Sequence, residues 1–258
     1  IARRQRQMCI RDRYDEIDTV KQTLQVLKAN DCISVVIQSD PNDSSKILDE
    51  TSVNFYQKLP DLAGTKEEYL KERELKSGAT TIPSRAVTRN YSAGFTAAHT
   101  FDVDWWVGIT GDVSITNLNG IKKIIEKMIN ANKSLGVSRA VGQIFWDPNQ
   151  EFTRVQKDET TDFMPQFFVV KSNLVNNKLF SNIEITNFYT CEQCLGDEVK
   201  RFCLETKDGF ENIVFKISDY AYPQFISGLQ FNPDRVNMPK HVDGFVNMLR
   251  RMKTRYSK

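Results

Sequence analysis

Within Tyr14–Asn30 the apolar residues Ile17, Val20, Leu24, Val26 and Leu27 recur at the intervals of one helix face, which predicts a helix. The pattern then changes to Ile33-Ser34-Val35-Val36-Ile37, a β-branched run that reads as a buried strand, ended by the turn formers Gln38-Ser39-Asp40-Pro41-Asn42-Asp43. Residues 51–60 hold a short strand, and the charged stretch Lys66–Lys76 reads as a surface helix. Pro83 argues against helix, so Thr81–Thr88 is expected to be extended, before a closely packed helix over Asn90–His99 with Gly94, Ala97 and Ala98. Val103–Thr110 contains WWVGIT and reads as a buried strand. Asn117 or Asn119 caps a helix over Ile121–Asn132, with Ile121, Ile124, Ile125 and Met128 on one face. Arg139–Trp146 and Phe163–Val170 are strand-like. Thr190 is placed to cap a helix over Glu192–Leu204, Ile213–Ile217 is a last strand, Phe225–Pro239 reads as loop, and His241–Arg255 is a basic amphipathic helix.

Strands alternating with helices predict an α/β fold: a mostly parallel, Rossmann-like sheet with helices on both faces. No internal repeat or low-complexity linker interrupts it.

Charge changes the picture only after the first residues are set aside. Residues 3–13, RRQRQMCIRDR, match the translation of a tagmentation sequencing adapter and are excluded from fold reasoning. Residues 1–13 carry five Arg and one Asp, so the formal charge of +2 becomes +2 − 4 = −2 for residues 14–258. The mildly basic balance therefore gives no ground for a nucleic-acid partner. The adapter also implies a gene read as a fragment, of metagenomic kind, with the native N-terminus expected upstream. Residues 14–258 suit a single domain. No apolar run is long enough for a membrane span. Beyond Cys9, the chain has Cys32, Cys191, Cys194 and Cys203, too few and too clustered for a disulfide framework, which favours a reducing, cytoplasmic setting.

The chemistry centres on residues 101–114, FDVDWWVGITGDVS. Asp102-Val103-Asp104 is a literal D-x-D, a common way to hold a divalent metal against a sugar-nucleotide diphosphate. It precedes the apolar strand, however, and in open α/β sheets ligands bind beyond the carboxyl ends of strands. Asp112, in Thr110-Gly111-Asp112, follows the strand and is the better metal ligand. Gly111 would allow close backbone approach, and diphosphate oxygens and water would complete the shell of one hard cation, Mn or Mg. A turn-capping aspartate is the plainer alternative.

The order of these segments resembles the GT-A glycosyltransferases of the family 2 type. The chain shows VKQTLQVL (20–27), SVVIQSDPND (34–43), RNYSAGFTAAH (89–99) and WWVGITGDV (105–113) in the family's order over roughly residues 14–205. The resemblance implies a first strand lying upstream of Tyr14. It makes residues 14–116 the nucleotide-binding half and 117–258 the acceptor half with its terminal helix, and it implies that Asp40 contacts the nucleoside, Arg89 and Asn90 line the nucleotide site with Arg89 against a phosphate, and Asp112 holds the metal. Thr110 stands where the family's first acid often does. A carboxylate at the start of a late helix acts as general base in the family, and TCEQCLGDEVKRF (190–202) offers Glu192, with Gln193 in place of the second acid and Asp197 or Glu198 as alternates. Plainer readings are a turn former for Asp40, a surface ion pair for Arg89 and a helix-dipole partner for Glu192.

Two stretches suit the acceptor side: GQIFWDPN (142–149) with Trp146, and DFMPQFFVV (162–170) with Gln166, Phe167 and Phe168 being commoner as core. Cys191-x-x-Cys194 lacks the second pair a zinc site needs. His99 falls among small packed residues, and His241 is a late histidine of the sort some relatives bring to the metal. The last helix, with Phe245, Val246, Leu249 and Met252 beside Arg250, Arg251, Lys253 and Arg255, suits either a peripheral contact with the inner face of an anionic membrane or an ordinary solvated edge. No nucleophile elbow, P-loop or dinucleotide fingerprint is present. The expected activity is inverting, metal-dependent transfer of a sugar from a nucleotide-sugar donor to a glycan or lipid-linked acceptor, in polysaccharide biosynthesis. The alternatives are a nucleotidyltransferase on a similar sheet and a non-catalytic glycan-binding relative.

Overall fold

The computed structural model describes residues 17–39, 53–60, 82–111, 113–139, 163–183, 191–207, 209–218 and 226–231. The helical stripe folds as α1 (Ile17–Ala29), with Val20, Leu24 and Leu27 buried, and a turn leads into β1 (Val35–Gln38), buried at every position. β2 (Phe55–Lys58) pairs parallel to β1, Val35 opposite Phe55.

α2 runs Ile82–Ala98, so Thr81–Thr88 is helical rather than extended from Ile82 on. Pro83 is the second residue of this helix, where no intrahelical N–H is required and the fixed φ suits the turn. β3 (Trp105–Ile109) and β4 (Val113–Ile115) follow, then α3 (Asn119–Asn130). Asn117 Oδ1 accepts from Asn119 N at 3.0 Å, although Leu118 occupies the cap position. β5 is Leu135–Arg139, beginning earlier than the strand expected over Arg139–Trp146, and β6 is Phe163–Lys171. α4 (Ser172–Asn176), α5 (Cys191–Thr206), α6 (Phe210–Ile213), β7 (Val214–Ser218) and β8 (Leu229–Phe231) complete the described chain. β8 lies within the stretch expected to be loop. The helices expected over Lys66–Lys76 and His241–Arg255 lie outside the described residues. No described helix is long and apolar enough to cross a membrane.

The fold is α/β, but its sheets are mixed rather than mostly parallel. The four-stranded sheet has the order β3-β6-β5-β7; β6 is antiparallel to both neighbours, and β5 and β7 are parallel. β4 and β8 form an antiparallel pair. A long apolar strand buried on both faces reads the same in either direction, which is why β6 gave no sign of its orientation.

Helices cover both faces. On one, Tyr91 and Phe95 of α2 and Leu195, Val199 and Phe202 of α5 share a core with Val35, Ile37, Trp106 and Phe168. On the other, Leu27 of α1 and Ile121, Ile125 and Met128 of α3 pack with Trp105, Val107 and Ile109. Val36 meets Val20 and Leu24 on the α1 side. Both β1 and β3 thus lie between the same two helix layers.

The hydrogen-bond phase leaves each of these strands one open edge. Ser172 N donates to Asp104 O at 3.0 Å and Thr110 N to Gln166 O at 3.4 Å, so even-numbered residues of β3 face β6. The backbone groups of Trp105, Val107 and Ile109 point the other way. On β1, Ser34 O and Gln38 O accept from Phe55 N and Leu59 N, which turns the groups of Val35 and Ile37 away from β2. No described strand pairs with either open edge. The first strand expected upstream of Tyr14 lies outside the described residues.

Candidate functional site

Two consecutive residues of α2 fix the geometry. Asn90 is fully buried, and its Nδ2 donates to Ser39 Oγ at 2.9 Å, just past the end of β1. Tyr91, equally buried, donates its hydroxyl to Pro165 O. Pro165 lies one residue from Gln166, whose carbonyl accepts from Thr110 N just past the end of β3. One turn of helix therefore touches the residues at the carboxyl ends of both strands, which brings those ends to one edge. Ligands bind at such edges.

Beyond β3 the chain turns at once: Val113 N donates to Thr110 O at 3.1 Å, and Gly111 is buried. Asp112 is the residue between, and its own placement lies outside the described residues, as does that of Asp40 next to Ser39. β4 then holds the far side of the turn through its pairing with β8 and the 3.0 Å bond from Ile115 N to Thr23 Oγ1 of α1. Below the edge, Phe168 packs on Tyr91 and Phe95 at ring-centroid distances of 5.1 and 5.8 Å, an aromatic floor under the polar rim.

Of the residues singled out from sequence for the nucleotide and acceptor sites, Asn90, Thr110, Gln166 and Arg89 are described. The first three converge at the edge. Arg89 donates from Nη2 to Pro60 O beyond β2, which aims that arm of the guanidinium at the β2 flank. Gln166 lies on the α2 face, and its Oε1 is buried without a hydrogen-bond partner. Ser39 and Tyr91 were missed. Tyr91 stands beside Asn90 in RNYSAG and looks like any core aromatic on a helix.

Asp102 and Asp104 sit at the amino end of β3, with Asp104 O in the first bond of the β3–β6 ladder, so this literal D-x-D faces away from the edge. His99, at the end of α2, places Nε2 2.8 Å from Ser181 Oγ and is occupied structurally. Trp146 and His241 lie outside the described residues.

Glu192 is the second residue of α5, and its side chain is outside the described set. Asp197 is half exposed and pairs with Lys200 at 3.4 Å. Glu198 is the buried acid, held by Arg201 at 2.9 and 2.6 Å. The bonds to Glu198, then those to Glu205, raise the Arg201 pKa above its already high ordinary value. The charge that holds Glu198 is therefore constant at any working pH. Cys32, Cys191, Cys194 and Cys203 are all buried. No group of three or more His, Cys, Asp or Glu among the described residues can hold a metal.

No family model and no curated protein matches the chain. Among solved structures, mouse xyloside xylosyltransferase 1 is similar at 10% identity and TM-score 0.37, over 83% of this chain and 84% of that one. Glucosyl-3-phosphoglycerate synthase from Mycobacterium tuberculosis, solved with phosphoglyceric acid, is similar at 14% identity and TM-score 0.43, over 83% and 70%. A mannosyltransferase from Pyrobaculum calidifontis, solved with GDP-Man and Mn2+, is similar at 10% identity and TM-score 0.44; the alignment covers 86% of this chain and 59% of that chain.

Proposed function

We propose that this protein is a glycosyltransferase that moves a sugar from a nucleoside-diphosphate sugar to a hydroxyl of a glycan or lipid-linked acceptor, with inversion. The observation that carries the reading is the convergence of β1 and β3 at one edge through Asn90 and Tyr91. It gathers three of the four motif segments, which lie far apart in sequence, where an α/β sheet binds nucleotides.

The nucleoside sits beyond β1, with Asp40 as its carboxylate contact. Asn90 is the strut that sets the distance between that site and the turn after β3. The diphosphate lies at the Thr110–Val113 turn, where buried Gly111 lets the backbone approach. Asp112 would hold a divalent cation, Mn or Mg, which would supply positive charge against the negative charge that grows on the departing nucleoside diphosphate. Glu192, or Asp197 in its place, takes the acceptor hydroxyl proton as that oxygen attacks the anomeric carbon in line. Trp146 provides an aromatic face for the acceptor.

Thermal shift with UDP, GDP and dTDP, with and without Mn, tests this. One nucleotide should stabilise the wild type in a Mn-dependent way, and Asp112→Ala should abolish the shift. A folded wild type that responds to none of them overturns the proposal.

A further inference from the structure

We infer that Gln166 binds a hydroxyl of the sugar being transferred, rather than the incoming acceptor. This deepens the proposed function and rests on it. Thr110 N donates to Gln166 O at 3.4 Å, one step beyond the last pair of the β3–β6 ladder, and the alternation of the strands puts both side chains on the α2 face. One step down the same face lie Gly108 and Phe168, the latter against Tyr91 and Phe95. The Gln166 carboxamide thus stands at the rim of the aromatic floor, beside the turn that takes the diphosphate. The part of a nucleotide-sugar joined to that diphosphate is the sugar, and it reaches this point before any acceptor does.

The chemistry of the orphaned atom selects the ligand. Gln166 Oε1 is out of water with no donor. A carbonyl oxygen only accepts, so it repels phosphate oxygens and calls for an O–H or N–H. Sugar hydroxyls supply donors at several carbons of the ring. Leaving such an acceptor unmade weakens the free protein, and filling it favours the bound state, so the residue links specificity to binding. A carbonyl oxygen also ligates hard cations, and that rival assignment is separable by experiment.

Gln166→Leu, which keeps the bulk and removes the amide, is compared with the wild type by thermal shift and by titration. The probes are UDP, GDP and dTDP, then UDP-glucose, GDP-mannose and dTDP-glucose, all with Mn. The variant should melt no lower than the wild type without ligand, because it loses an acceptor that had no partner. It should keep the wild-type response to the free nucleoside diphosphate. It should lose the extra affinity that the sugar confers, about tenfold for one hydrogen bond. Loss of the Mn-dependent response to the nucleotide alone would make Gln166 a cation ligand and overturn the inference. So would a retained sugar increment, or a variant that melts well below the wild type. If the wild type itself answers to no nucleotide, the glycosyltransferase reading has failed first.

Discussion

Gly108→Ala probes the packing on which the site rests. Gly108 is the fourth residue of β3 and buried, and a Cβ there would come within 2.3–2.8 Å of three ring atoms of Phe168. The ring has nowhere to go: Tyr91, Phe95 and Phe180 surround it at centroid distances of 5.1, 5.8 and 5.4 Å. Overpacking a well-filled core costs about 1–3 kcal/mol, and a hemmed-in ring belongs at the upper end. Alanine returns about 0.5–1 kcal/mol by restricting the unfolded chain relative to glycine. The net loss is about 2 kcal/mol, a large part of a typical domain's stability. In urea, with a slope of about 2 kcal/mol per molar, the midpoint should fall by about 1 M at unchanged slope. Phe168→Leu makes room for the new methyl, so the double variant should be at least ~1 kcal/mol more stable than the two single losses added together. A Gly108→Ala midpoint equal to the wild type's, or strict additivity in the double variant, would refute the claim that Phe168 is locked.

The other expectations concern single bonds. Tyr91→Phe removes the donor to Pro165 O and should cost about 1–2 kcal/mol in urea melts while weakening the nucleotide response; unchanged nucleotide affinity would detach α2 from the site. Thr23→Val leaves Ile115 N without its acceptor and should cost a similar ~1–2 kcal/mol, and an unaffected melt would show that α1 does not hold β4. Arg201→Met leaves the Glu198 carboxylate buried and unpaired, a loss of about 3 kcal/mol, which Glu198→Leu in the same chain should largely recover. Glu192→Gln should lower turnover far more than nucleotide binding, whereas Asp197→Asn should leave turnover within a few fold; the reverse ranking would transfer the base to Asp197.

How much of this was legible in the sequence depended on whether the cause was local. α1, β1, β3 and α3 declare themselves through runs and stripes that follow from what each must bury. Pro83 misled because its effect depends on position within a helix, and the start of α2 was not otherwise marked. β4 and β8 have three residues each and exist through their pairing with one another, which no local pattern encodes. At the site, the order of motifs pointed to Asn90 and Thr110. The bonds from Asn90 to Ser39 and from Tyr91 to Pro165 depend on tertiary approach and left no trace in spacing. Glu198 and Asp197 are adjacent acids on one helix, each with a cationic partner, and only burial tells the structural one from the exposed one.

The β4–β8 pair has a consequence in time. Val113 pairs with Phe231 and Ile115 with Leu229, farther apart along the chain than the partners in any other described ladder. Contacts of large sequence separation form late, because the loop must close before the pairing repays it. On a ribosome the chain can bring together β1, α2, β3 and β6, and with them the aromatic floor, well before residues 226–231 are made. The turn at Thr110–Val113 then has only the bond from Ile115 N to Thr23 behind it until β8 arrives to complete its hold. A nascent chain halted short of residue 226 should therefore possess its core before it possesses a settled ligand edge.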